Sequence, residues 1–394
     1  MAVALIFVAV GSIETYTANR RHEEFFQPTG PIREGMTEAA RQSRRHGAHT
    51  GAGVRDSVAS PFIQVHPEGD SQAIRSKIQL GLRSRARARL DKMPRPDARP
   101  PALSLAWVEQ TLGCGARVVA WKRLTGGLTS IVHRLTVQRN GRREEYVLRW
   151  WVPDSEWEHW IARAVPLETA VLTKLEGIDI PAPRVIGSTV DAALGGPAVL
   201  MTRLPGKVHL MPRDRERWLR QMAQMLARIH ALALDGKPFE AWLDRNQLSP
   251  PLDASRADVW REAIALVAEE RAPTRTCFLH RDYQHFNMLW SRERLTGVVD
   301  WSEACIGPPE VDVGHCRLNL TVLFSAGVAD RFRAIYEVES GQKVDAWWDV
   351  HALLSYGPSW KQFLPIQIDG RAPLDVEGMT GRMEEVLERA LRRL

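Results

Sequence analysis

The sequence predicts an α+β chain with two folded halves, a small β-rich half and then a larger helical half, preceded by a basic extension. Three observations carry that reading. Short β-prone segments separated by turn signals fill residues 118–151. From Asp214 onwards, apolar residues recur at the spacing of buried helix faces. Residues 1–95 show little of either pattern and are frequent in Gly, Ser, Thr, Pro and Arg.

The extension, 1–95, reads as a poorly ordered tail and linker. Arg83, Arg85, Arg87 and Arg89 alternate in a basic tract, followed by the Pro-rich run 93–101. A nucleic-acid or targeting patch is the competing reading of that tract. Another is that Met93 is the natural start and the extension is not part of the natural product. Leu103 to Leu112 then reads as a short helix. Val118 to Leu124 and Ile131 to Gln138 read as strands around the loop Thr125-Gly126-Gly127-Leu128-Thr129-Ser130. Tyr146 to Trp151 is a third strand after the Asn140-Gly141 turn. Pro166 to Leu175 has helical spacing and carries Glu168. Arg184 to Gly187 and Ala198 to Leu204 add strand, and Pro205-Gly206 closes the first half, 96–205. In the second half, 206–394, Trp218, Met222, Met225, Leu226 and Ile229 mark a helix from Asp214 to Ala233. Further helices are expected over 257–270, 311–323, 327–339, 346–357 and 377–393.

Composition narrows the class. The chain has 394 residues, 44% hydrophobic and 25% charged, ordinary for a globular protein. Its net charge is +6, but of 53 basic and 47 acidic residues, 16 and 10 lie in the first 100, leaving 37 of each for the remainder. The folded halves therefore give no general electrostatic case for binding nucleic acid or membrane. Cys114, Cys277, Cys305 and Cys316 form no CxxC pair, which argues against a zinc knuckle or redox motif and fits a reducing cytoplasm. The apolar run Ala2–Val10 is shorter than the ~20 residues a spanning helix needs.

The chemistry concentrates in His280-Arg281-Asp282-Tyr283-Gln284-His285-Phe286-Asn287 and Val298-Val299-Asp300-Trp301. Asp282 can accept or orient the proton of an acceptor hydroxyl. Asn287 and Asp300 can offer hard oxygen ligands to Mg²⁺, which also binds nucleotide phosphates. His280 reads as a loop-internal hydrogen-bonding group. Upstream, Gly126 and Gly127 permit close backbone approach to phosphates, with Thr129 and Ser130 as hydroxyl donors; a simple hairpin is the plainer reading of that loop alone. Arg149, at the end of the third strand, can hold nucleotide phosphates if Glu168 fixes it by an ion pair; otherwise both are surface residues. Asp312 can cap its helix or brace the catalytic loop, and bracing is the favoured role. The 14 tryptophans read mainly as core and lobe-interface packing, with a cationic or sugar site as the alternative.

The ordered segments LTGGLTS, YVLRW, ETAVLTKLEG, PAPRVIG, VLMTRLPG, LARIHAL, LHRDYQHFNMLW and VVDWSEACIGPPEVD resemble the aminoglycoside phosphotransferase family of small-molecule kinases, over about 105–394. The resemblance implies a two-lobed protein-kinase-like fold with ATP, or another nucleoside triphosphate, between the lobes. It implies Mg²⁺ at Asn287 and Asp300, Asp282 as base, and a hinge at Met201, Thr202 and Arg203 that pairs with adenine through its backbone. Three positions depart from the family. Arg281 stands where Gly is usual, Ser302 where an acid is common, and Arg149 where many kinases use Lys.

Two rivals remain. His-Arg-Asp at 280–282 is a protein-kinase pattern, but only a short segment separates Asp300 from the helix expected at Val311. A non-catalytic nucleotide-binding module is the other, opposed by retention of Asp282, Asn287 and Asp300. The expected partners are a nucleotide and a small hydroxylated acceptor, not nucleic acid or membrane. Polycationic acceptors call for an acidic pocket, which a neutral core neither supports nor excludes.

Overall fold

The computed structural model of the chain describes residues 99–113, 115–124, 130–151, 158–194, 196–355, 360–368 and 370–394. The basic extension and the predicted positions Gly126, Gly127 and Thr129 lie outside these residues.

The first half is a sheet with a helix on each face. α1 (Ala102–Leu112) precedes β1 (Arg117–Leu124), β2 (Ile131–Arg139) and β3 (Arg142–Trp150). α2 (Glu158–Leu175), β4 (Val185–Thr189) and β5 (Ala198–Thr202) follow. The strands pair antiparallel in the order β1-β2-β3-β5-β4, so β3 is central, with Arg149 opposite Val132 on one side and Val199 on the other. Alternation sorts β3 onto two faces. Tyr146, Leu148 and Trp150 join a core with Leu105, Trp107 and Val108 of α1. Val147 and Trp151 join another with Ile161 and Val165 of α2.

α2 starts eight residues before the predicted Pro166, which lies inside it. An interior proline costs about 3 kcal/mol. The added turns bury Ile161, Ala164 and Val165 to within 4% exposure. Burial at about 1.5–3 kcal/mol for each of the two larger side chains offsets that cost.

The second half contains α3 (Arg215–His230), α4 (Ala257–Leu266), α5 (Glu310–Leu323), α6 (Ala326–Ser340), α7 (Ala346–Leu354), α8 (Trp360–Ile368) and α9 (Met379–Leu391). α8 is not foreseen from the sequence. Asp214 caps α3 by accepting the Arg217 N–H at 2.9 Å, and the buried face carries Trp218, Met222, Met225, Leu226 and Ile229. Between α4 and α5 lie β6 (Cys277–Leu279), β7 (Met288–Ser291), β8 (Arg294–Val298) and β9 (Cys305–Gly307), paired β6-β9 and β7-β8.

Backbone bonds tie the start of the second half to β7, and one more crosses to the first half. Lys207 N–H donates to the Trp290 carbonyl at 3.1 Å, and the Lys207 carbonyl accepts the Trp290 N–H at 2.8 Å. Gly206 makes that approach possible: at φ 103° a Cβ there would lie 2.7 Å from the Trp290 oxygen. Val298 N–H also donates to the Pro181 carbonyl at 2.8 Å. The result is an α+β arrangement, a β-rich half followed by a helical half, as the sequence predicts. Among the described residues, no helix is long and apolar enough to cross a membrane.

Candidate active site

The loop 280–287 leaves β6 at Leu279 and is pinned from three sides. Asp312, in the first turn of α5, accepts the backbone N–H of His280 at 2.8 Å and of Arg281 at 2.7 Å. It also lies 3.2 Å from His230 Nε2 on α3. Burial alone would raise the Asp312 carboxyl; the His230 imidazole, with His280, outweighs it and holds the group below the ordinary carboxylate range. Tyr283 donates its hydroxyl to the Met222 carbonyl at 2.6 Å. His280 spends both ring nitrogens inside the loop, Nε2 donating to the Val299 carbonyl at 3.0 Å and Nδ1 accepting the Asp282 N–H at 3.3 Å. Asp312 thus braces the loop, and His280 is a structural hydrogen-bonding group.

Asp282 is fully buried and held at both oxygens. Oδ1 accepts from Gln284 Nε2 at 2.7 Å and from His315 Nε2 at 2.8 Å. Oδ2 accepts from Asn287 Nδ2 at 2.8 Å, and the same amide donates to the Asp282 carbonyl at 2.9 Å. Burial lowers the His315 pKa and the Asp282 carboxylate opposes that shift; the ring nitrogen that faces the carboxylate oxygen is the donor of the pair. With its amide hydrogens spent on Asp282, Asn287 offers its side-chain oxygen to whatever approaches.

Arg149 gathers the other side. Its Nε donates to Ser130 Oγ at 2.8 Å, and its Nη1 lies 2.7 Å from both Glu168 Oε1 and Asp300 Oδ1. The spacing-level alternative of a surface Arg and a solvated Glu is set aside: both side chains are buried. Burial alone would lower the Arg149 pKa, but Asp300 and Glu168 outweigh it and raise it. Asp300 adopts φ 68° and Arg281 φ 71°, the left-handed region that non-glycine residues avoid. Backbone strain therefore sits at two site positions.

The three predicted hinge residues differ in availability. Met201 pairs with Val147 and Val185 inside the sheet. Thr202 donates its N–H to the Arg184 carbonyl at 2.9 Å. Arg203 lies just beyond β5, its side chain donating to Glu145 at 2.6 Å. Several residues at the site carried no signal of their own in the sequence. Gln284 and His315 hold Asp282. Ser302 donates to Asp300 Oδ1 at 2.9 Å, and Glu303 accepts from Trp160 Nε1 at 2.6 Å and lies 3.2 Å from Lys237. Only the Ser302 donation was open to inference, because Asp-x-Ser permits such a local bond.

A loop that fixes a carboxylate and an amide, with a second carboxylate held by a sheet-borne cation, can serve phosphoryl transfer. The model of the Phosphotransferase enzyme family matches residues 121–348, and the chain belongs to that family. It is 28% identical over 200 residues to homoserine kinase of Cupriavidus pinatubonensis, covering 45% of this chain and 58% of that protein. It is 30% identical over 179 residues to viomycin phosphotransferase of Streptomyces vinaceus, covering 39% and 61%. The chain thus spans about three-fifths of the length of these relatives. Among solved structures, it is similar to a thermostable mutant of aminoglycoside phosphotransferase APH(4)-Ia, with ADP and hygromycin B, at TM-score 0.47 and 16% identity, covering 73% of this chain and 97% of that one. Macrolide 2'-phosphotransferase MphH from Brachybacterium faecium matches at TM-score 0.45 and 17% identity, covering 73% and 98%.

Proposed function

We propose that the protein transfers the γ-phosphoryl group of ATP, or another nucleoside triphosphate, to a hydroxyl of a small molecule. The observations that carry this reading are the fixed Asp282–Asn287 pair and the Arg149–Asp300 pair, linked where the Val299 N–H donates to the Asn287 carbonyl at 2.9 Å. The acceptor oxygen attacks the γ-phosphorus, its proton passes to Asp282, and the bond to the bridging oxygen breaks to release the nucleoside diphosphate. A positioned base of this kind contributes about 10²–10⁴-fold. Three donors already fix the Asp282 carboxylate, so little reorganisation remains at the moment of transfer.

The residues fit Mg²⁺. Asn287 and Asp300 are hard oxygen donors, and both polar contacts on Asp300 fall on Oδ1, leaving Oδ2 for a cation. Among the described residues, no group of three or more His, Cys, Asp or Glu could hold a metal alone. That suits an ion shared between one or two protein ligands and nucleotide phosphates. When bound, Mg²⁺ would neutralise phosphate charge. Ser130 and Arg149 supply donors on the sheet side, as does the predicted Gly126, Gly127 and Thr129 loop. Arg203, outside the ladder, is the best placed of the hinge residues to meet a base.

A small acceptor is supported by the short run between Asp300 and α5, which starts at Glu310 and leaves no room for a long activation segment. The curated relatives are named for homoserine and viomycin, both small molecules. An ATP-consumption screen of purified protein against amino acids, amino sugars, macrolides, sugars and amino alcohols tests the reading. Acceptor-dependent turnover is expected; nucleotide binding with no transfer to any acceptor would favour a binding module.

A further inference from the structure

We infer that Arg281 reads an anionic group on the acceptor, so that the cleft lined by Arg281 and Ser302 takes small hydroxylated carboxylates rather than polycations. The inference rests on the phosphotransferase reading above and names its substrate class.

The cleft lies between α2 and the catalytic loop. Its charged lining is Arg163, Lys237, Arg281, Glu240 and Glu303, and it includes Ser302, the neighbour of Asp300 that donates to its carboxylate. Two of the cations are matched. Lys237 lies 3.2 Å from Glu303 Oε2, while Glu303 Oε1 accepts from Trp160. Arg163 lies 3.5 Å from Glu240. Both oxygens of Glu303, the buried acid, are therefore spent, which leaves little to receive a ligand amine.

Arg281 is the unmatched charge. It is 3% exposed, and no carboxylate among the described residues lies within ion-pair distance of its guanidinium. Its polar contact is the Glu240 backbone carbonyl at 3.2 Å. Its guanidinium carbon sits 3.6 Å from the Trp242 ring centroid and 4.9 Å from that of Phe239. Aromatic faces and one carbonyl steady a buried cation only in part; a counter-charge is missing. The backbone strengthens the case. Arg281 occupies φ 71°, where glycine would be unstrained, so a strained conformation accompanies the buried charge. Arg281 shares the cleft with Ser302, which donates to the Asp300 carboxylate, so an anion on its guanidinium would anchor an acceptor within the proposed site. Arginine suits a carboxylate through its planar fork of donors.

The test is equilibrium titration of the full chain, loaded with a non-hydrolysable ATP analogue and Mg²⁺. Two matched probe sets are used: glycerate, glycerol and 3-amino-1,2-propanediol; gluconate, sorbitol and glucamine. The carboxylate of at least one set is expected to bind best. Its affinity should fall ~10–100-fold in Arg281→Gly, which suits the backbone angle, and less in Arg281→Lys, which keeps the charge. The inference is overturned if the amines lead both sets, or if no carboxylate outbinds its neutral partner. It is also overturned if the preference survives Arg281→Gly, or if that variant loses only nucleotide affinity, which would assign the guanidinium to ATP phosphates. Turnover is scored in parallel on the wild type. Its absence with the carboxylate preference intact counts against the phosphotransferase reading and not against the anion site.

Discussion

Arg149 Nη1 lies 2.7 Å from Asp300 Oδ1, tying the central strand of the sheet to a carboxylate of the opposite lobe. The same nitrogen is 2.7 Å from Glu168 Oε1 on α2. One guanidinium thus sets the spacing of the strand, the α2 helix and the candidate metal ligand. Long arginine in place of lysine is what allows three simultaneous partners, Ser130 included.

Removing that guanidinium leaves two carboxylates without their shared cation. Arg149→Ala is expected to lose about 3–5 kcal/mol of stability in urea unfolding. Arg149→Lys keeps the charge but not the fork. It should fold, with KM for ATP raised ~10-fold through weaker phosphate contacts. Equal stability of wild type and Arg149→Ala would show that the pair is not structural.

His315 acts through Asp282. His315→Phe removes the donor at 2.8 Å while filling much of the space. It is expected to lower kcat ~10-fold or more, with the KM for ATP nearly unchanged, because base orientation and not nucleotide binding is lost. His315→Gln, which can still donate, should recover part of the loss. Stopped-flow or coupled-assay kinetics on the three proteins separates the two effects.

Two buried histidines give the fold an acid limit. Burial, and after it His315, holds His285 at about 3, from an ordinary 6.5. Burial, and after it Arg281, does the same to His351. Unfolding frees each to take up a proton below about pH 6.5. Their contribution to stability is therefore complete above that pH and is lost as the pH falls towards 3, at up to about 1.4 kcal/mol per pH unit for each. Asp312, whose pKa is lowered, adds a loss in the same direction at lower pH. The melting temperature should fall steadily between about pH 7 and pH 5, and His285→Phe should flatten that slope. An unchanged slope would mean that His285 is charged, or is not buried, in the native state.

Gly314 allows α5 to approach α7. A Cβ there would lie 2.4 Å from Ala352 Cβ, inside contact distance. Gly314→Ala is expected to destabilise by about 1–3 kcal/mol despite the better helix propensity of alanine. It should also lower activity, since Asp312 and His315 sit on the same helix.

Much of this was legible in the chain. The β-rich and helical halves follow from spacing alone, and Asp282, Asn287 and Asp300 stand out because their loop is short and local. What stayed hidden depends on tertiary closure. α2 begins before Pro166 because its first turns bury apolar side chains, a gain that sequence spacing does not reveal. α8 carries Pro365 in its interior, which masks its pattern. His315 meets Asp282 across 33 residues, a contact that exists only once α5 docks on the loop. Arg281 read as a kinase-like signature. In the fold its meaning is different: a buried guanidinium on Trp242, lining the cleft it shares with Ser302.

The measurement that tests the central claim most directly is phosphorus NMR of reactions containing ATP, Mg²⁺ and the best acceptor of the screen. The account predicts a phosphate-ester resonance on the small molecule with wild type. It predicts a loss of at least ~10²-fold in its rate of appearance with Asp282→Ala, whose nucleotide affinity should be retained. Phosphorylation undiminished in Asp282→Ala, or nucleotide binding with no ester formed on any acceptor, would contradict it.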